Sequence, residues 1–269
     1  MNLTSISFIG GGNMAMAMIK GLVALQPQPR LTVSGPNADK LMVFSEMGVA
    51  TTTDNAAAVA ASDLIVLAIK PQKVALVVPE LAAAWSPQKI LVSILAGTTT
   101  AKLASWLPPG ARIVRAMPNT PLAIGQGMVG VCAGATATAA DVAQAEALFT
   151  PCGKVLRLAD ESRMDAITAV SGSGPAYVFA FAEALMSGAQ ALGFTADEAA
   201  LLVGQTLGGA TAYLQQQGVA QAATLRQKVT SPGGTTAAAL AVLTAGDQLG
   251  LITRALAAAE ARGRELGRG

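Results

Sequence analysis

Leu3-Thr4-Ser5-Ile6-Ser7-Phe8-Ile9-Gly10-Gly11-Gly12-Asn13-Met14-Ala15 is the stretch whose reading decides the fold. Leu3 to Ile9 is a short apolar run of the kind that forms a buried strand. It breaks directly into three glycines, and Ala15 falls where a further glycine could stand. This is the G-x-G-x-x-G/A pattern in its proper setting, after a strand and before a helix. Gly10 allows the tight turn, Gly12 lets backbone approach a pyrophosphate, and Ala15 lets the helix pack close to the sheet. The free N–H groups and positive dipole at the start of that helix favour phosphate charge. The stretch therefore predicts a dinucleotide-binding α/β unit.

A chain of 269 residues suffices for one large domain or two ordinary ones. Its residues are 52% hydrophobic and 13% charged, but only 4% aromatic, so the core must come mainly from Ala, Leu, Val, Ile and Met. So little charge leaves apolar helix surface uncovered and predicts contact between subunits. A net charge of +2 without a basic cluster gives no reason to expect nucleic acid. The absence of histidine removes His-based acid–base catalysis, Ser-His-Asp triads and His metal ligands together. Cys132 and Cys152 have no second pair, so no metal and no disulfide framework is expected, only buried reduced thiols. The N-terminus has no basic n-region, which predicts a cytoplasmic protein without a signal peptide. Residues 199–225 carry no charge, yet their Gln and Gly argue for a buried helix and against a membrane span.

Strands and helices alternate as far as about residue 160, predicting a doubly wound, mostly parallel sheet. Strands are expected at 30–34, 49–51, 63–69, 89–94, 112–115, 128–132 and 154–158. Beyond that only alanine-rich helical segments follow, at 162–170, 175–192, 196–217, 220–229, 236–244 and 250–266. The expected domains are 1–160, a Rossmann domain, and 161–269, an all-helical domain. Ser34 ends the second strand where an Asp or Glu would bond the ribose of NAD. With no carboxylate until Asp39, the loop favours NADPH while leaving NADH possible. Lys70 follows the cleanest buried strand and is expected at the ligand crevice. The Pro118-Asn119-Thr120-Pro121 loop is expected to face the same crevice.

Two small-residue loops punctuate the helical half. Ser171-Gly172-Ser173-Gly174-Pro175 is expected to lead into a helix with Gly174 as N-cap and Pro175 in the first helical position. Thr230-Ser231-Pro232-Gly233-Gly234-Thr235-Thr236 leads into another. Each offers free N–H groups and hydroxyls at a helix start, which suits a carboxylate.

These motifs, with Gly10 to Ala15, Ala68-Ile69-Lys70-Pro71 and Arg115 to Pro121, come in an order that resembles the pyrroline-5-carboxylate reductases. The resemblance runs from residue 6 to the final helix. It implies a Rossmann domain followed by a helical dimerisation domain, often assembled into decamers, that reduces 1-pyrroline-5-carboxylate to L-proline with NAD(P)H. By the same resemblance Gly10, Gly11, Gly12, Asn13 and Met14 hold the pyrophosphate, and Ser34 and Asn55 sit at the adenosine end. Ala68, Ile69, Lys70, Pro71, Ala96 and Gly97 line the path to the nicotinamide, and Met117, Pro118 and Asn119 lie near the ring. Ser231, Gly233, Gly234, Thr235 and Thr236 form the substrate loop, with the Thr236 hydroxyl at the imine nitrogen as the catalytic group. Thr235 stands where some relatives carry Ala.

The missing histidine is consistent with this chemistry, because an imine can take its proton from water before reduction. Positioning, a polar partner at nitrogen and exclusion of water are what remains for the protein to supply. The β-hydroxyacid dehydrogenases share the outline but use a lysine early in the helical domain. No Lys occurs here between Lys154 and Lys228. A dinucleotide sensor without turnover is the non-enzymatic alternative.

Overall fold

The computed structural model describes residues 3–268, so the outermost ends of the two expected domains lie outside it. The chain divides into two compact units, one comprising residues up to Ser173 together with those from Ala258, the other Gly174–Ala257.

The first unit is an α/β layer structure. Its elements are β1 Ser5–Ile9, α1 Asn13–Val23, β2 Arg30–Ser34, α2 Ala38–Ser45, β3 Ala50–Thr52, α3 Asn55–Ala60, β4 Leu64–Leu67, α4 Val74–Leu81 and β5 Ile90–Ser93. Then come α5 Thr100–Ala104, β6 Arg112–Met117, β7 Gly127–Ala133, α6 Ala139–Phe149 and β8 Gly153–Arg157. The strands form one sheet in the order β3-β2-β1-β4-β5-β6-β7-β8. All neighbours are parallel except β6 and β7. The reversal has a local cause. Residues 118–126 are too few for a crossover helix, and Gly125, at φ 73°, closes a short 3₁₀ turn that sends the chain straight back.

The sheet is buried on both faces, as parallel sheets are. Ile6, Phe8, Val66, Val92 and Val114 pack on one side with Met18, Leu22 and Phe149. Ile9, Ile65, Leu67, Leu91 and Ile113 pack on the other with Val59 and Leu81. The period of two in side-chain direction thus appears as two apolar faces rather than one apolar and one polar. Two polar side chains inside close on backbone carbonyls. Ser7 Oγ donates to the Ala58 carbonyl at 2.6 Å, and Lys89 Nζ donates to the Val59 and Ser62 carbonyls at 2.7 and 2.6 Å. That ammonium closes the end of α3, where free carbonyls favour a cation.

Residues 162–170 do not form the single helix expected. A 3₁₀ turn leads into the short α7, Met164–Ile167, and then a π-turn over Thr168–Gly172. The π-turn changes the reading of the first small-residue loop. The Ser173 N–H already donates to the Thr168 carbonyl at 2.8 Å, and the next helix, α8 Gly174–Ala191, takes Gly174 as its first residue. Gly174 is therefore not the N-cap, and Pro175 stands second.

The second unit consists of α8, α9 Ala196–Gln217, α10 Ala222–Lys228, α11 Thr235–Ala245 and the first part of α12 Gln248–Arg268. α9 begins with a capping box, Thr195 with Glu198, and ends at Gly218, φ 93°. The expectation of a buried helix over 199–225 is corrected here: in α9 only Ala199 and Val203 are buried in the single chain. With Gly, Ala, Thr and Gln around the helix, no strong apolar stripe directs it inward, and its large side chains stay on the surface. No single described helix is long and apolar enough to cross a membrane.

Candidate functional site

The sheet order reverses direction between β1 and β4, and ligands of open α/β sheets bind at the carboxyl ends of such strands. The fingerprint lies there. Gly10 has φ 105°, and a Cβ on it would come within 2.5 Å of the Ala68 carbonyl oxygen, so only glycine closes this turn. Its N–H donates to the Ser34 carbonyl at 2.9 Å, tying the turn to the end of β2. A Cβ at Gly12 would meet nothing within 4 Å, and no side chain caps α1. The first-turn N–H groups beside Gly12 therefore open outward, and Gly11, Gly12 and Asn13 are exposed. An uncapped helix start without a side chain over it fits a pyrophosphate. Met14 is half-buried and Ala15 fully buried beneath it, the close packing expected of that position.

Gly11 carries a role the spacing pattern does not reveal. A Cβ there would lie 2.7 Å from the Phe44 ring and 3.3 Å from Val33, so the middle glycine is required by α2 and β2.

At the end of β2, Ser34 is fully buried and its Oγ donates to Asn55 Oδ1 at 2.8 Å. After β4, Ala68 and Ile69 are half-buried and Lys70 and Pro71 exposed, Pro71 opening a short 3₁₀ turn. After β5, Ala96 is half-buried, while Gly97, φ 70°, is covered by the last turn of α12. A Cβ on Gly97 would lie 2.8 Å from Leu266 Cβ.

At the end of β6, Pro118 is buried and Asn119 nearly so. Asn119 uses its whole amide inside the protein. Its Oδ1 accepts from the Met128 N–H at 2.9 Å, and its Nδ2 faces the Ser171 carbonyl and Oγ at 3.2 and 3.3 Å. The residue thereby clasps the π-turn to the start of β7. Met117 Cε packs against the same turn, where a Cβ on Gly172 would come within 2.8 Å of it. π-turns inside helices recur at functional sites.

A buried ionic network supports this end of the sheet. Arg115, only 3% exposed, pairs with Glu161 at 2.8 Å and lies 3.7 Å from Asp165. Glu161 also accepts from the Thr100 hydroxyl at 2.6 Å and from the Thr100 N–H. Burial pushes the nearby Cys132 thiol up to about 11, with Glu161 adding to the shift and Arg115 offsetting part of it. Both cysteines are free and buried, and Cys152 is likewise raised by burial. They are inert thiols, as expected. Among the described residues no cluster of His, Cys, Asp and Glu could hold a metal.

The second small-residue loop belongs to the other unit. Gly233 has φ 70°, the Gly234 N–H donates to the Ser231 carbonyl at 3.1 Å, and α11 starts at Thr235 with no side-chain cap. A Cβ on Gly234 would fall 2.5 Å from Ser231 Oγ, which would have to turn away, whereas the positive φ of Gly233 is what favours glycine in this turn. Thr236 stands second in α11 and is half-buried, beside exposed Thr235. This helix start keeps its N–H groups available, whereas the first loop spends part of its own in the π-turn.

An open fingerprint at the switch point, uncapped helix starts and a helical second unit define a dinucleotide-dependent oxidoreductase of the Rossmann type. The comparisons narrow the class. A family profile described as pyrroline-5-carboxylate reductase dimerisation matches residues 161–266, and one described as NADP oxidoreductase coenzyme F420-dependent matches residues 5–97. The pyrroline-5-carboxylate reductase of Pseudomonas aeruginosa is 41% identical over 268 residues, covering 99% of this chain and 98% of its own. A solved pyrroline-5-carboxylate reductase from Coxiella burnetii superimposes with TM-score 0.89 at 40% identity, covering 98% of this chain and 99% of its own. The Plasmodium falciparum pyrroline carboxylate reductase, solved with NADP bound, gives TM-score 0.84 at 28% identity over 99% of both chains. The chain belongs to the pyrroline-5-carboxylate reductase family.

Proposed function

We propose that the chain reduces 1-pyrroline-5-carboxylate to L-proline with NADPH, NADH serving as a second cofactor. One observation carries this reading: the 41% identity extends over both halves at once, from fingerprint to final helix. In this reading the start of α1 at Gly10 to Met14 holds the pyrophosphate, and the ends of β2, β4, β5 and β6 carry the rest of the cofactor. When bound, NADPH supplies the hydride that the C=N carbon accepts.

The chain's own residues then have three tasks. The Ser231–Thr236 loop binds the substrate carboxylate through the N–H groups at the start of α11, where the helix dipole favours an anion. The Thr236 hydroxyl orients the imine nitrogen, whose proton comes from water. Positioning and local dipoles then provide the acceleration. The functional division falls at 160/161, a reading supported by the start of the dimerisation match at residue 161. The protein works in the cytoplasm as a homodimer through its helical domain, with a decamer as the larger assembly.

Thr236→Ala tests the assignment. No side chain caps α11, so removing this hydroxyl should change stability by no more than about 0.5 kcal/mol. Turnover should fall roughly 10²-fold, the scale of a lost polar catalytic contact. The loss is read from NADPH absorbance with pyrroline carboxylate as substrate. Wild-type kinetics in the variant would sink the role given to Thr236. Wild-type protein that fails to oxidise NADPH with this imine would sink the function.

A further inference from the structure

The end of β2 holds a chain of hydrogen bonds that the spacing of the sequence does not suggest. Ser34 is fully buried, and its one hydroxyl proton goes to Asn55 Oδ1 at 2.8 Å. The serine thus has no proton to offer a ligand and no surface to offer it from. Asn55, the first residue of α3, is half-exposed and donates its Nδ2 to Glu80 Oε2 at 2.9 Å. Glu80 is exposed, on the second-last position of α4. The polar face beside the fingerprint is therefore an amide backed by a carboxylate, delivered from two helices rather than from the strand.

In Rossmann folds an acid at the end of the second strand accepts from the ribose hydroxyls and repels a 2′-phosphate. No basic residue occurs between Arg30 and Lys40 to answer a phosphate there. We propose that Glu80, tied to Ser34 through Asn55, is the residue that sets discrimination between the two cofactors. Its carboxylate replaces the missing strand-end acid, accepts from a ribose 2′-hydroxyl and weakens the hold on a 2′-phosphate. NADH remains a usable donor for this reason. The inference rests on the dinucleotide-dependent reductase reading and adds to it a specificity residue.

The alternative role is a plain clamp between α3 and α4, and Glu80→Gln separates the two. Glutamine keeps the length and a carbonyl that can still accept from Asn55 Nδ2, but it removes the charge. Cofactor binding is measured by titrating NADPH and NADH fluorescence, and efficiency by imine reduction with each. The expected result is a roughly fivefold rise in the NADPH-to-NADH ratio of affinities and of kcat/KM, about 1 kcal/mol at ~1.4 kcal/mol per tenfold. The rise should shrink at 0.5 M salt, because exposed charges are screened over about 10 Å already at ~0.1 M. An unchanged ratio in a folded variant, or a salt-independent one, overturns the proposal and leaves the clamp. Wild-type protein that binds both cofactors but reduces no pyrroline carboxylate would refute the reductase reading alone, and the affinity ratio would still decide the role of Glu80. Failure of the wild type to bind either dinucleotide would overturn both.

Discussion

Gly11 and Gly12 sit side by side, yet a methyl group would do opposite things to them. At Gly12 the new Cβ would point into open space above α1, so the fold has no objection to a larger residue. A bound pyrophosphate would object, because the side chain would stand over the N–H groups it needs. Gly12→Val should therefore keep the thermal midpoint within about 2 °C of wild type while NADPH affinity falls at least ~10²-fold. Unchanged NADPH fluorescence titration would refute the pyrophosphate assignment. Gly11→Ala should behave in reverse. Its Cβ would press on the Phe44 ring, which is 1% exposed, and overpacking of this kind costs about 1–3 kcal/mol. Denaturant melts should show that loss, and a fully stable Gly11→Ala would show that α2 yields more easily than its packing suggests.

At the level of elements, strands defined by local pattern were readable and contacts between distant segments were not. The strand at 30–34 and the helix at 196–217 are found with the bounds expected, because prolines, glycines and a Thr195–Glu198 capping box mark their ends. β6 runs two residues further than its apolar pattern, to Met117, since pairing with β7 extends it. The π-turn at 168–172 has no local signature. It is fixed by Asn119, 52 residues away from Ser171 in the chain, and by Met117. Glu80 and Glu161 escaped notice for the same reason, their partners lying on other elements. The fingerprint and the Ser231–Thr236 loop were legible because their function requires small residues in fixed order, whereas a clasp or an ion pair requires only that two segments meet.

One inter-element contact makes an acid-side prediction. Arg157 at the end of β8 donates to Glu146 on α6 at 2.8 and 2.6 Å, and that hydrogen bond holds the Glu146 carboxyl below its ordinary value near 4.5. A lowered folded-state value means the contribution is present above pH 4.5 and is lost as pH falls through the folded value. Arg157→Gln should lower the thermal midpoint by about 1–3 °C at pH 7, as exposed pairs are modest. The two proteins should converge as pH falls well below 4.5 and Glu146 takes up its proton, and a gap that persists in acid would point to lost packing instead of lost charge.

The helical unit poses the question of what the whole molecule is. Phe179 is 60% exposed, Leu201 74%, Leu249 80% and Leu251 58%, while α8 buries no residue and α9 only Ala199 and Val203. Exposed large apolar side chains in such number on one helical unit are a mark of an interaction surface. The match of residues 161–266 to a dimerisation family is the reason to expect a second copy of the chain on that surface. Folding and association are then coupled, and the thermal midpoint must rise with protein concentration. Raising the concentration a hundredfold should lift the midpoint by several degrees, and sedimentation velocity should find no monomer at micromolar concentration. Leu201→Glu places a charge on the exposed apolar surface of α9 and should weaken association if that surface pairs, since a buried unpaired charge is costly. A wild-type chain that sediments as a monomer with a concentration-independent midpoint would mean that the low charge and the exposed side chains serve some purpose other than self-association.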